Sequence, residues 1–378
     1  MAQPSVDRRV GVVGAGQLAR MMGEAAPAAG VDLIVLAAAL DDPAVATSTA
    51  AVVGDARDPD ALAELARRVD VVTFDNELVD LDAVAGLERE GVSVRPGAAA
   101  LRFAVDKAFQ RRRLDRAGLP VPRFAVGSRG VDVVAFLGDV AGDVVVKAAR
   151  GGYDGRAVWF PSTHDEARRL VDDVDGECVV EERLSLVGEA AQLVVRSTAD
   201  DVVAYPLVST VQRDGMCVEV TYPAQCPPGV SKHAAELATR LARLIDVVGV
   251  LAVEVLVTRE GLFVNEVALR PHNTGHWTIE GCATSQFVNH LLAVSAQALG
   301  DPRATTPAAA MVNVVGGREP ANPDAAAATA GVAVHDYAKA WRPGRKLGHV
   351  TALGVDAASA RVTAWAGAVA YGTSTEAS

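Results

Sequence analysis

Short apolar runs alternate with amphipathic stretches along the first hundred residues of the chain. Residues 9–13 form an apolar run that leads into a glycine-rich turn at residues 14–17, and a helical pattern follows the turn. Further short apolar runs come at residues 33–36 and 69–74. Strands that alternate with helices are typical of a parallel sheet covered by helices. We therefore predict an α/β layer at the start of the chain.

The glycine-rich turn has the spacing G-x-G-x-x-A through Gly14, Gly16 and Ala19. This spacing is typical of dinucleotide-binding folds, which also place an acidic residue after the second strand. Here the first acidic residues after that strand are Asp41 and Asp42. The only sequence support for a nicotinamide-dependent oxidoreductase is therefore this turn. The amides at the start of the helix could equally bind another phosphate.

Two apolar runs in the second half of the chain predict a β-hairpin. These runs, residues 250–258 and 262–269, flank a short turn that contains a glycine. Each run contains one carboxylate, Glu254 in the first and Glu266 in the second. If the hairpin is symmetric about Glu260, the two carboxylates face each other.

Like charges that face each other across a strand pair destabilise a sheet unless something compensates for them. Magnesium takes oxygen ligands and is commonly held by one or two carboxylates together with substrate phosphates. Asn265 adds a neutral oxygen beside Glu266. Other interpretations stay open: one carboxyl group is protonated, both pair with Arg270 or Lys147, or the register slips by one residue and separates them.

A dense group of polar side chains follows the hairpin, on a loop interrupted by proline and glycine. Loops on a rigid scaffold are where binding chemistry concentrates. The group therefore favours a functional site over a purely structural hairpin. Its members are Arg270, His272, Asn273, Thr274, His276 and Trp277.

A lysine inside an apolar strand is a second candidate for binding chemistry. Lys147 lies in the run at residues 143–149, and a glycine-rich stretch follows at residues 150–156. A buried ammonium group needs an anion, and a glycine-rich turn offers amides to the same anion. A tight hairpin whose lysine reaches the solvent is the alternative. A later strand ends in two further carboxylates, Glu181 and Glu182.

Three further charged stretches differ in what they indicate. Residues 73–77 place two acids just after a strand, where open α/β sheets bind ligands, although a solvated loop is equally consistent. The helix at residues 106–116 carries three consecutive arginines, residues 111–113, which we predict to be exposed to solvent. Residues 335–349 are rich in basic and imidazole side chains and indicate either an anion site or a charged surface hairpin.

Composition excludes several classes of protein. The 378 residues carry a net charge of −11, which argues against non-specific binding of nucleic acid. No apolar run is long enough for a membrane helix, and the start of the chain lacks the pattern of a secretory signal. The 4 cysteines are scattered, so neither a disulfide framework nor a zinc site is indicated. We expect a cytoplasmic protein of two or three domains that binds neither nucleic acid nor membranes.

Several sequence runs resemble the ATP-grasp superfamily and, within it, the 5-(carboxyamino)imidazole ribonucleotide synthetases. They are GAGQLARM, GGYDGR, VVEE with GE after it, VNEVALRPHNTGHWT and RPGRKLGHV. The resemblance implies an α/β plus α+β architecture that begins with a Rossmann-like parallel-sheet domain at residues 1–100. An ATP-grasp domain of two subdomains would follow at residues 101–303, with a lid at about 123–186. A small, mostly β domain would complete the chain at residues 304–378.

The resemblance also implies roles for individual residues. Glu254 and Glu266 would bind magnesium, as two ions, and Arg270, His272 and Lys147 would act in catalysis. Contacts with ATP are implied for Lys107, Lys147, Gly152, Tyr153, Asp154, Gly155, Arg156, Glu181, Glu182, Leu184, Glu189, Asn265 and Glu266. Contacts with the second substrate are implied for Gly16, Gln17, Glu77, Tyr153, Asp154, Arg156, Arg270, His272, Asn273, Lys339, Arg342 and Arg345.

The activity implied by the resemblance is carboxylation of 5-aminoimidazole ribonucleotide by a homodimer that uses ATP and bicarbonate and forms carboxyphosphate. The sequence departs from the family at Lys107, where an arginine is usual, at Asp75 and Asn76, and at Gln212, where a histidine is usual. An ATP-grasp ligase that uses formate and glycinamide ribonucleotide is the alternative. It would share the carboxylate pair but not the GGYDGR and RPGRK runs.

Overall fold

The computed structural model describes residues 8–151, 157–317 and 320–373. No helix in these ranges is both long and apolar enough to cross a membrane. The strands are β1 Arg8–Val13, β2 Val31–Ala37, β3 Ala50–Val53, β4 Val71–Phe74, β5 Phe124–Gly127, β6 Val144–Ala148, β7 Val158–Trp159, β8 Cys178–Glu182, β9 Gly188–Arg196, β10 Val202–Ala204, β11 Val208–Arg213, β12 Met216–Tyr222, β13 Gly249–Val257, β14 Leu262–Ala268, β15 Ala308–Val315, β16 Val332–Asp336 and β17 Lys346–Gly354. The α-helices are α1 Gln17–Ala29, α2 Pro59–Ala66, α3 Leu81–Arg89, α4 Ala98–Val105, α5 Lys107–Arg116, α6 Val134–Asp139, α7 His164–Asp173, α8 Val230–Leu244, α9 Thr278–Gly281, α10 Gln286–Val294, α11 Pro323–Ala327 and α12 Ala357–Tyr371.

The first sheet is parallel, as the alternating pattern predicts, with the strand order β3-β2-β1-β4. Its apolar residues are buried on both faces because helices cover both sides. Val10 and Val12 of β1 pack with Met22 of α1, and Phe287 and Leu291 of α10 belong to the same core cluster. Helix α10 therefore connects the N-terminal sheet to the central part of the molecule.

A small antiparallel sheet with the order β5-β8-β6-β7 lies within the predicted lid. It contains the strands predicted around Lys147 and at residues 178–182. Val146 of β6 and Val180 of β8 pack with Val171 of helix α7. The sheet therefore has a hydrophobic core of its own, which lets it act as a separate subdomain.

The largest sheet in the described part of the chain follows the order β14-β13-β9-β11-β12-β15-β17-β16, and β10 pairs with β9. The predicted hairpin forms one edge. The C-terminal strands extend the same sheet beyond β12, and α12 covers them through Ala360 and Ala364. Helix α8 covers the half that carries the hairpin, through Leu237 and Leu241.

The hairpin places Glu254 directly opposite Glu266, as predicted, but through a different register. Symmetry about Glu260 would pair Thr258 with Leu262, and this part of the prediction is wrong because Val257 faces Leu262. Thr258 belongs to the turn, where its backbone N–H donates to the Gly261 carbonyl at 2.9 Å. A β-bulge at Asn265 then adds one residue to β14 and restores the predicted pairing of the carboxylates.

Candidate active site

A cavity of about 490 Å³ lies between the carboxyl ends of the N-terminal strands and the hairpin of the large sheet. This size is in the ordinary range for small-molecule sites. The predicted site residues that line it are Gly16, Gln17, Glu77, Lys107, Glu254, Glu266, Arg270, His272 and Asn273. The lining also includes Leu18, Gly215, Cys217, Tyr337 and Lys346, to which the sequence analysis gave no role. Of these, only Tyr337 and Lys346 lie in a segment that the sequence marks as unusual, the basic run at residues 335–349.

The two carboxylates of the hairpin face this cavity with basic or imidazole groups beside them. Glu266 Oε1 lies 3.7 Å from Lys107 Nζ, and half of the Glu266 side chain is exposed. Glu254 Oε1 lies 3.9 Å from His272 Nε2. Both acids line the same cavity, which excludes the one-residue register slip that would have separated them.

The donor set is suited to a hard divalent cation that also has other ligands. No group of three or more histidine, cysteine or acidic side chains in the described ranges could hold a metal. Two carboxylates are nevertheless enough for magnesium, which usually keeps waters and takes substrate phosphate oxygens. Asn265 is less available as a third ligand, since its Oδ1 lies 3.1 Å from Lys147 Nζ. The residues therefore fit magnesium that arrives with a nucleotide.

Lys147 is 11% exposed and pairs with Glu181, whose Oε2 lies 2.7 Å from Lys147 Nζ. Arg111 pairs with the other oxygen of the same carboxylate, with Nε and Oε1 at 2.5 Å. Burial alone would raise the pKa of Glu181, but Arg111 and Lys147 outweigh it and bring the pKa to about 2. The prediction that Arg111 is exposed is therefore wrong: its side chain is 2% exposed because Glu181 compensates for its charge.

Arg270 is held at the cavity by Glu77, with Nε and Oε2 at 2.9 Å. Burial opposes the charge on Arg270, but Glu77, together with Asp75 and Glu266, outweighs burial and raises the pKa of Arg270 above its usual value. The cavity therefore contains a fixed positive charge.

Asp75 occupies the helix N-terminus at the glycine-rich turn. Its carboxylate accepts from the backbone N–H groups of Gly16 at 2.6 Å and Ala19 at 3.2 Å. A Cβ atom at Gly16 would lie 2.6 Å from Asp75 Oδ2, so only glycine permits this approach. Burial raises the pKa of Asp75 more than these hydrogen bonds and Arg270 lower it. The Gly16 and Ala19 amides are thus already used by a carboxylate, although Gly16 and Gln17 of the turn both line the cavity.

His272 is held as a neutral hydrogen-bonding group. Burial, followed by the charges of Arg270 and Lys346, lowers its pKa to about 3. The His272 Nδ1 lies 2.9 Å from the Thr274 hydroxyl and 3.4 Å from the Thr274 backbone N–H, while Nε2 lies 3.9 Å from Glu254 Oε1. Gln286 of α10 fixes the loop by accepting from the His272 N–H and donating to its carbonyl, both at 2.8 Å.

The remaining predicted residues lie at different distances from the cavity. Lys339 donates to the Gln17 side chain, which joins the C-terminal segment to the glycine-rich turn. Arg345 donates to the Ala340 carbonyl at 3.2 Å, and the described cavity lining includes neither Arg345 nor Arg342. Glu182 ends β8, Leu184 follows it, and Glu189 lies on β9. Burial raises the pKa of Glu189. Gly152, Tyr153, Asp154, Gly155 and Arg156 lie outside the described residues.

Three buried histidines connect elements around the cavity. His290 of α10 accepts from the Val250 N–H through Nδ1 at 3.1 Å, and its Nε2 lies 2.9 Å from Thr73 Oγ1. It therefore joins the strand that precedes Glu77 to the strand that carries Glu254. Nδ1 of His276 lies 3.0 Å from Gln286 Nε2, and Nδ1 of His349 lies 2.9 Å from the Tyr337 hydroxyl.

We expect these histidines to make the protein acid-labile. Burial lowers the pKa of His290 to about 3 and those of His276 and His349 well below the usual value. The unfolded chain, with histidine pKa values near about 6.5, then binds more protons as the pH falls below that value. Each histidine should cost on the order of 1 kcal/mol of unfolding free energy between about pH 7.5 and about pH 5.5. Urea denaturation at both pH values measures the loss.

His233 provides a matched control because it is an exposed histidine at the start of α8. His290→Gln should lower stability at about pH 7.5 but reduce the further loss at about pH 5.5, whereas His233→Gln should leave both unchanged. An unchanged pH dependence in His290→Gln would contradict the assignment of His290 as a neutral buried group.

Comparison with protein-family models finds three matches in series along the chain. A model described as the ribonucleotide synthetase preATP-grasp domain matches residues 8–105. The ATP-grasp domain matches residues 112–287. The phosphoribosylaminoimidazole carboxylase C-terminal domain matches residues 309–363.

Comparison with known proteins finds similarity over nearly the whole chain. The N5-carboxyaminoimidazole ribonucleotide synthase of Mycobacterium tuberculosis is 45% identical, and the match covers 92% of this chain and 84% of that protein. The enzyme of the same name from Corynebacterium ammoniagenes is 39% identical, with 93% and 89% covered. The crystal structure of the Thermus thermophilus synthetase is 31% identical with a TM-score of 0.88, covering 97% and 99%. An Aspergillus clavatus synthase in complex with ADP and 5-aminoimidazole ribonucleotide is 28% identical with a TM-score of 0.87, covering 97% and 99%.

Proposed function

Because this chain belongs to the N5-carboxyaminoimidazole ribonucleotide synthase family of ATP-grasp enzymes, we propose that its cavity brings together magnesium-bound ATP, bicarbonate and 5-aminoimidazole ribonucleotide. The protein is an ATP-dependent ligase of purine biosynthesis that carboxylates 5-aminoimidazole ribonucleotide to N5-carboxyaminoimidazole ribonucleotide. We propose further that the reaction uses magnesium and bicarbonate, and that the individual residues have the roles described below.

The observation that carries the proposal is the facing pair Glu254 and Glu266 in the lining of the cavity. These carboxylates would hold magnesium, which would neutralise the nucleotide's phosphates. Lys107 lies beside Glu266, and Lys147 lies beside Asn265, the next residue of the same strand. The terminal phosphate of ATP would therefore lie near Lys107 and the metal, with Lys147 close to the same strand.

Transfer of the terminal phosphate would begin beside this carboxylate pair. An oxygen of bicarbonate attacks the γ-phosphorus, the bond to ADP breaks, and carboxyphosphate forms. Arg270 is suited to hold the oxygens of carboxyphosphate because Glu77 fixes its guanidinium group at the cavity. His272, being neutral, can contribute a hydrogen bond but no charge.

The second substrate would then receive the carboxyl group. Carboxyphosphate divides into carbon dioxide and phosphate, and the exocyclic amine of the ribonucleotide attacks the carbon and loses a proton. Lys346 and Gln17 also line the cavity, and Lys339 holds Gln17. These groups would recognise the ribonucleotide and its phosphate.

The oligomeric state and the cellular location are properties of the whole protein. We propose that the enzyme acts in the cytoplasm as a homodimer, as its resemblance to the family implies. Light scattering of the purified protein measures the mass directly, and twice 39.1 kDa is expected.

The experiment that tests the function is ADP release with ATP, magnesium and bicarbonate, with and without 5-aminoimidazole ribonucleotide. The ribonucleotide should accelerate ADP release and yield one carboxylated product for each ADP. Formate with glycinamide ribonucleotide should leave the rate at background. Activation by this second pair alone would reverse the assignment in favour of the formate-using ligase.

A further inference from the structure

Arg111 is a buried arginine that contacts both the lid and the hairpin. From helix α5 its Nε pairs with Glu181 of lid strand β8 at 2.5 Å. Another terminal nitrogen, Nη2, donates to the backbone carbonyl of Asn265 at 2.6 Å, and Nη1 donates to the Gln110 side chain at 3.2 Å. The planar guanidinium group can meet separate partners at once, which an ammonium group cannot do with the same geometry.

The Asn265 carbonyl that Arg111 contacts belongs to the β-bulge of the hairpin. A bulged residue is left unpaired in the strand ladder and needs another partner when it is buried. The bulge also determines that Glu254 faces Glu266, because without it the pairing would shift by one residue. Arg111 therefore stabilises the backbone on which the carboxylate pair depends.

The same arginine also acts on Lys147 through a closed ring of contacts. Glu181 binds Arg111 through one oxygen and Lys147 through the other. Lys147 in turn contacts the Asn265 side chain, while Arg111 contacts the Asn265 carbonyl. The ring holds the lid lysine and the hairpin bulge in one fixed arrangement.

We propose that Arg111 is a positioning residue that fixes Lys147 and the Glu254–Glu266 pair relative to each other, so that both meet the terminal phosphate of one nucleotide. The proposal rests on the function proposed for Lys147 and the carboxylates. Arg111 itself is not expected to touch the phosphate, since its side chain is 2% exposed and donates to Glu181, Gln110 and Asn265. The positioning acts across the junction between the lid sheet and the large sheet.

Arg111→Met should raise KM for ATP about tenfold or more and lower kcat, because misplaced phosphate ligands weaken both binding and transfer. Arg112→Met is the matched control, since Arg112 is its neighbour on α5 and pairs on the surface with Glu177 at 2.8 Å. The control should retain wild-type KM and kcat. An Arg111→Met protein that folds and has wild-type kinetics would overturn the proposal.

A double-mutant cycle separates positioning from general structural support. Because Arg111 acts partly through Lys147, Arg111→Met should raise KM for ATP less in a Lys147→Met protein than in the wild-type protein, whereas fully additive effects would overturn the proposal. The Lys147→Met protein alone tests the function proposed for Lys147: full activity would reject that function rather than the role of Arg111.

Should Arg111→Met fail to fold, Arg111→Lys decides, because one ammonium group can retain Glu181 or the Asn265 carbonyl but not both. It should fold with raised KM for ATP, and unchanged KM would overturn the proposal.

Discussion

Replacing Arg270 with methionine is expected to lower kcat by roughly 10²–10³-fold, the usual effect of removing a group that stabilises developing negative charge. Arg270 lines the cavity, and its ion pair with Glu77 holds the guanidinium group in place. The KM for ATP should change little, because Lys107 and Lys147 lie beside the carboxylate hairpin instead. Steady-state kinetics with saturating bicarbonate and ribonucleotide separate the two parameters.

Arg259 gives the control for this substitution, since it is an exposed arginine in the turn of the same hairpin. Arg259→Met should leave kcat and KM unchanged. A folded Arg270→Met enzyme with near wild-type kcat would show that carboxyphosphate is stabilised by other groups.

Neutralising either member of the carboxylate pair should have a still larger effect. Glu254→Gln and Glu266→Gln preserve the size of the side chain but remove a charge that magnesium requires. We expect kcat to fall roughly 10³-fold in each case, equivalent to about 4 kcal/mol of lost transition-state stabilisation. Measurement at several magnesium concentrations should also show a weaker dependence on the metal.

The hairpin supplies its own control in Glu260, an exposed carboxylate in the turn. Glu260→Gln changes the net charge by the same amount without altering the cavity. It should retain wild-type turnover and the wild-type response to magnesium. Wild-type turnover in Glu254→Gln or Glu266→Gln would remove the carboxylate pair from the mechanism.

The architecture was predictable from sequence where periodicity and glycine placement reflect local physics. The strand that ends at Val13, the turn after it and helix α1 follow from an apolar run, glycines and an amphipathic stretch. The pairing of Glu254 with Glu266 was also predicted. Here the correct result came from two deviations that cancel: a turn displaced by one residue and a bulge at Asn265.

Contacts between distant residues were not predictable in this way. Arg111 lies in a run of three arginines on a helix of strongly polar composition, so local pattern indicates exposure. Its burial depends on Glu181 and Asn265, which are 70 and 154 positions away in the sequence. No spacing rule connects them, because the lid and the hairpin meet only in the folded protein.

The glycine-rich turn shows the same limit for function. Its spacing indicates free helix amides that can bind phosphate. In the structure the Gly16 and Ala19 amides instead donate hydrogen bonds to Asp75, which follows a strand and lies 56 or more positions away in the sequence. The motif therefore identified the local backbone conformation correctly but not the group that the amides bind.

The most direct test of the account is Mn²⁺ binding, followed by electron paramagnetic resonance, to wild-type, Glu254→Gln and Glu266→Gln protein in the presence of a non-hydrolysable ATP analogue. Wild-type protein should bind the ion with coupling to phosphorus of the analogue, and each variant should bind it at least about tenfold more weakly. Equal affinity and equal phosphorus coupling in all three proteins would contradict the claim that this carboxylate pair holds the metal against the nucleotide.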